Sequence, residues 1–101
     1  MKNVLCIVAL CSMVLSTALA KTVLIVPIDS EIDVRMSRKV ELAIRQASKE
    51  NVDFVIFSIN TYGGAVQDAD KIRTAILNLS IPNAAFINKN AASAGALISI
   101  A

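Results

Sequence analysis

The sequence has no histidine and no tryptophan among its 101 residues, and aromatic side chains make up only 4% of it. Without His, neither Ser-His-Asp nor Cys-His catalysis is available within the chain, and no imidazole can bind a metal. So few aromatics leave no platform on which nucleobases could stack. The net charge is +2, and the ten basic residues are dispersed, which excludes a nucleic-acid-binding surface of the usual kind. Nothing in the composition calls for a metal or a cofactor. Glycine is scarce as well: there are three, and two of them are adjacent. The length allows one domain at most.

Both cysteines, Cys6 and Cys11, fall in the first eleven residues. Lys2 opens that segment, residues 4–15 are apolar but for Ser12, and residues 16–20 are mostly small, with Ala18 and Ala20 in an A-x-A arrangement. This is the layout of a secretory signal peptide over residues 1–20, cleaved after Ala20. An uncleaved anchor is the rival, but the apolar stretch falls short of the roughly 20 residues that span a bilayer. A lipoprotein reading through Cys11 is weaker, because Leu10 is larger than the residue expected before a lipidated Cys. Cleavage would leave residues 21–101 without a thiol, in a compartment that permits disulfides, with nine basic and eight acidic residues.

The remainder alternates between two hydrophobic patterns. Residues 22–28 form a continuous apolar, β-branched run, as in a strand covered on both faces, with Pro27 marking its end or an edge position. Asp29, Ser30 and Asp33 then provide turn and cap chemistry. Over residues 34–49, Met36, Val40, Ala43, Ile44 and Ala47 recur at helical spacing, with Glu41 and Arg45 as an i,i+4 pair on the outer, solvated side. A second strand is expected at 53–59. A second helix is expected at 65–79, with Val66, Ala69, Ile72, Ile76 and Leu79 on one stripe. Pro82 blocks its continuation, a short strand follows at 83–88, and residues 91–101 open another helix. Strand-helix alternation of this kind predicts an α/β fold with a parallel sheet. The last apolar pattern has no stop signal, so the sequence is expected to be the N-terminal part of a longer protein.

In parallel α/β sheets ligands bind beyond the carboxyl ends of the strands. Two distinctive sequences fall there. Gly63-Gly64 follows the second strand; paired glycines let a backbone approach a ligand and aim N–H groups at it, although for an isolated pair a tight turn is the preferred reading. There is no G-x-G-x-x-G and no Walker lysine, so phosphate binding lacks support. Ser93 follows the third strand among tiny residues (Ala91, Ala92, Ala94, Gly95). At a helix N-terminus its uncrowded hydroxyl suits nucleophilic chemistry, and the plain alternative is an N-cap serine.

Together, residues 59–66 (INTYGGAV) and 90–98 (NAASAGALI) resemble the ClpP/crotonase superfamily, and most closely the NfeD-type membrane-bound serine peptidases related to signal peptide peptidase SppA. The resemblance runs from Val23 to Ala101. It implies a fold of repeated β-β-α/βαβ units, incomplete in this chain, with Ser93 as nucleophile. It further implies that the N–H groups of Gly64 and Ala94 form an oxyanion hole, and that Gly63 shapes the loop along which a substrate strand docks. Two such donors contribute roughly 3 kcal/mol or more to transition-state stabilisation. Tyr62 stands where relatives commonly have Pro, either lining the substrate groove or tolerating the turn. The resemblance implies a Lys as general base, downstream of residue 101; Lys89 reads as a surface residue, and Lys49 and Lys71 belong to polar helix faces.

The implied activity is that of a Ser-Lys endopeptidase at the extracytoplasmic face of a bacterial membrane. It would cleave apolar segments of membrane proteins, with a stomatin-like partner, homo-oligomeric assembly and membrane attachment through a C-terminal part. A non-catalytic scaffold of the same fold is the alternative. An acyl-CoA enzyme of crotonase type is disfavoured, since export removes the chain from CoA.

Overall fold

The computed structural model describes residues 21–101; the expected signal peptide and both cysteines lie outside them. Six elements alternate along the chain. They are β1 (Val23–Ile28), α1 (Val34–Lys49), β2 (Phe54–Thr61), α2 (Val66–Leu77), β3 (Asn83–Ala91) and α3 (Ala94–Ser99). The strands form one parallel sheet in the order β1-β2-β3. Pro27, which lacks an N–H, therefore sits in an edge strand, as its chemistry requires.

Helix α1 starts where Asp33 caps it: its carboxylate accepts from Met36 N–H at 2.9 Å. It ends at Glu50, and Asn51 follows with φ 52°, the left-handed conformation that Asn tolerates at a helix end. Met36, Val40 and Ala47 are buried and Ala43 and Ile44 half-buried, as the spacing predicts. The expected Glu41–Arg45 ion pair is not formed. Among the described residues the salt bridge is Arg73–Asp70 at 3.2 Å, on the surface of α2.

The core lies on one side of the sheet. Val26, Ile28, Val55, Phe57 and Ile59 alternate along β1 and β2 and pack with Met36, Val40, Ile72, Ile76 and Ile98 of the helices. On the opposite face Val23 and Ile25 are 51% and 61% exposed, and Phe86 of β3 is 59% exposed. The expectation that the first strand is covered on both faces therefore fails among the described residues. An apolar run records that side chains can be buried, not which layer covers them.

Several boundaries also differ from expectation. Strand β2 runs on to Thr61 and β3 to Ala91. The pairing jumps from Ile59↔Ile87 to Thr61↔Ala91, so β3 bulges around Lys89, whose φ is 85°. Helix α2 begins at Val66, which is 70% exposed rather than part of the buried stripe, while Asp68 and Ala69 of the same turn are buried. Helix α3 begins at Ala94, three residues later than expected, since Ala91 is still paired in the sheet.

Candidate active site

The two distinctive sequences meet in space. The bulge in β3 brings Ala91 beside Thr61, and Ala92 N–H donates to Thr61 C=O at 3.2 Å. The chain then turns at Ser93 directly against the glycine loop. A Cβ on Gly63 would lie 2.9 Å from Ser93 Cβ and 3.3 Å from Ala94 N. Gly63 has φ 117° and is buried, so neither a side chain nor an ordinary L-residue conformation fits there.

Ser93 occupies the N-cap position of α3 but does not behave as a cap. Its side chain makes no capping hydrogen bond, and its backbone is at φ 51°, ψ −117°. That conformation is rare for a residue with a Cβ, and such strain concentrates at functional positions. Ser93 is exposed, while Ala94 and Gly95 after it are buried. The helix is instead started by main-chain bonds: Gly95 N–H donates to Ala92 C=O at 2.9 Å and Ala96 N–H to Ser93 C=O at 3.0 Å.

The glycine loop is held from the other side by Ile32, which is fully buried. Ile32 N–H donates to Gly63 C=O at 2.9 Å, and Ala65 N–H donates to Ile32 C=O at 2.8 Å. This isolated parallel bridge faces Gly64, where a Cβ would collide with the Ile32 carbonyl. In a trans peptide the N–H points opposite to the preceding C=O. With Gly63 C=O aimed at Ile32, Gly64 N–H is aimed away from it. Neither Gly64 N–H nor Ala94 N–H has an acceptor among the described residues.

Thr61 secures the loop's base. It is 3% exposed; its Oγ1 donates to Ser30 C=O at 2.7 Å and accepts from Gly63 N–H at 3.1 Å. Sequence reasoning missed both Thr61 and Ile32, since their parts are played through pairings that no local pattern announces. A cavity of about 580 Å³ opens at the carboxyl ends of the strands, lined by Tyr62, Gly63 and Gly64 together with Asp29, Glu31 and Lys89. Tyr62 is 80% exposed at its rim. Ser93 is not part of that lining; it lies on the other side of Gly63.

No group of metal-binding side chains occurs among the described residues. Lys89, Lys71 and Lys49 are all exposed, in keeping with their reading as surface residues. No helix among the described residues is long and apolar enough to cross a membrane.

The fold has counterparts in known proteins. The membrane protein NfeD1b of Bacillus subtilis (strain 168) is 31% identical over 80 residues, covering 79% of this chain and 18% of that protein. ClpP1 from Listeria monocytogenes superposes with a TM-score of 0.71 at 26% identity, over 73% of this chain and 44% of that one. A serine-to-alanine mutant of the 1510-N membrane-bound stomatin-specific protease gives a TM-score of 0.72 at 24% identity, over 81% of this chain and 42% of that one. A lysine-to-alanine mutant of the same protease, in complex with a substrate peptide, also gives 0.72, at 22% identity over 81% of this chain and 39% of that one. The chain thus has part of a ClpP-like protease fold and spans less than half the length of these relatives. Residues 22–101 match the family model described as NfeD1b, N-terminal domain, and the chain belongs to that family of membrane-associated, protease-fold proteins.

Proposed function

We propose that the chain carries the nucleophile and oxyanion hole of a Ser-Lys endopeptidase. The observation that carries this reading is Ser93 itself: a serine at a helix N-terminus that does not cap it, strained to φ 51° and seated on Gly63. Strain without a capping bond has no stabilising role that would account for it. In this reading Ser93 Oγ attacks the scissile carbonyl as its proton passes to the general base. The carbonyl oxygen becomes an oxyanion that accepts from Gly64 and Ala94 N–H. Collapse expels the amine, which takes the proton, and leaves an acyl-Ser93 ester that water hydrolyses.

The base is a Lys supplied by sequence beyond residue 101, partly desolvated so that it can accept a proton. The exposure of the three lysines nearest in sequence supports a base from elsewhere. Residues 1–20 act as a secretory signal, residues 21–101 form the N-terminal part of the peptidase domain, and the site works on the extracytoplasmic side of a bacterial membrane. The substrate is an apolar segment of a membrane protein, with a stomatin-like protein as the candidate partner, since a neighbour in fold is described as stomatin-specific. Gly63 and Tyr62 border the groove in which that segment lies extended, and the whole protein works as a homo-oligomer.

A scaffold reading has one observation in its favour, the exposed apolar face of Val23, Ile25 and Phe86, which suits assembly. It leaves the strain at Ser93 unexplained. The readings separate in a cleavage assay on full-length protein with a fluorogenic apolar peptide. Cleavage that Ser93→Ala reduces to background supports the peptidase. Absence of cleavage with retained binding of the peptide supports the scaffold.

A further inference from the structure

The basic residues are not evenly dispersed: helix α1 carries five of the nine cations in residues 21–101, Arg35, Arg38, Lys39, Arg45 and Lys49. At about 100° per residue they fall within an arc of about 120°, centred opposite the stripe of Met36, Val40 and Ala47 that enters the core. All five are exposed, and none has a carboxylate within salt-bridge distance among the described residues. Lys39 Nζ makes a single bond, to Pro27 C=O at 3.1 Å. Glu41 lies half-buried at one margin of the arc, and Glu50, which accepts from Gln46, lies at the other. Leu42, 54% exposed, stands among the cations, and Val34, 58% exposed, lies just outside the arc on the Glu41 side; both border a shallow groove of about 480 Å³.

A merely solvated helix face mixes charges of both signs, because like charges at i,i+3 and i,i+4 repel. Arg35–Arg38, Arg35–Lys39 and Arg45–Lys49 are spaced in that unfavourable way. A one-signed face with an exposed leucine at its centre instead suits adsorption to a negatively charged membrane surface. There the cations attract anionic headgroups while the apolar side chains enter the interface. We infer that α1 is a docking surface for anionic phospholipid, seating this domain flat against the bilayer. The family's membrane association supplies the partner, and charge complementarity selects the anionic lipid. Ile32, which holds the glycine loop, lies two residues before α1, so docking sets that loop beside the membrane surface. The surface is independent of the chemistry assigned to Ser93.

The test is co-sedimentation of the 101-residue chain with vesicles of phosphatidylcholine alone and of phosphatidylcholine mixed equally with phosphatidylglycerol. Residues 1–20 are common to every variant, so the readout is the preference for anionic vesicles. Wild type is expected to prefer them by about tenfold or more, and added salt should erase the preference. Arg35→Gln/Arg38→Gln/Arg45→Gln should lose it with an unchanged circular dichroism spectrum. Lys71→Gln/Arg73→Gln/Lys89→Gln, with the same net charge, should keep it. Leu42→Asp is a second, single-site probe and should weaken anionic-vesicle binding severalfold. No preference in wild type, an undiminished preference in the α1 triple variant, or equal loss in both triple variants would overturn the proposal. Binding to polyglutamate without binding to vesicles would overturn it too and assign the face to an acidic protein.

Discussion

Gly63 lies immediately behind Ser93, so close that a Cβ at position 63 would stand 2.9 Å from the serine's own. The glycine's value is therefore the space it leaves. Gly63→Ala must displace the turn that carries Ser93 while also placing an L-residue at φ 117°. We expect a stability loss of about 1–3 kcal/mol, measured by urea denaturation. Full-length enzyme should lose a larger share of its acylation rate than of its folded population. Unchanged acylation at unchanged stability would show that the two residues are not in contact.

The second prediction concerns Thr61. Thr61→Val keeps the shape of the side chain but removes the hydroxyl that joins Ser30 C=O to Gly63 N–H. The buried Gly63 N–H and the partly buried Ser30 C=O are left without that partner, at an expected cost of about 1–3 kcal/mol. Hydrogen exchange should speed up at Gly63 N–H ahead of the amides in the middle of β2. Uniform acceleration across β2 would instead indicate general loosening.

A third prediction rests on the pair Ser37–Asp68, 3% and 6% exposed, in which the serine hydroxyl donates to the carboxyl at 3.0 Å. It joins α1 to the first turn of α2, just after the glycine loop. Ser37→Ala leaves the buried carboxyl without its donor and should cost about 1–3 kcal/mol. In a double-mutant cycle with Asp68→Ala the combined loss should fall short of the sum of the single losses. Strict additivity would mean that the bond contributes nothing of its own.

These particulars show where sequence reading reaches its limit. The α1 core stripe was legible because a 3.6-residue period is local, and Asp33 because capping is local too. The parallel sheet followed from alternation alone, while the strand order came only with the structure. The covering of the sheet was not legible: Val23 and Ile25 look like buried residues, yet the core lies on the other face. Nor was the bulge that carries β3 to Ala91, since it exists only in the pairing with Thr61. No local pattern marks Asp68, since its burial against Ser37 needs two helices side by side. At the candidate site the residues were legible and their state was not. Taken alone, Ser93 reads in sequence as an ordinary N-cap, and the backbone angle and missing capping bond speak against that role.

The central claim is that Ser93 is a nucleophile, and the most direct measurement is covalent labelling of full-length protein by a fluorophosphonate, mapped by peptide mass spectrometry. Attack by Ser93 Oγ on phosphorus expels fluoride and leaves a stable ester on that residue. The account predicts one adduct, on Ser93, absent from Ser93→Ala and slowed about 100-fold or more when the oxyanion hole is disrupted. An adduct on another residue, or equal labelling of wild type and Ser93→Ala, would contradict it.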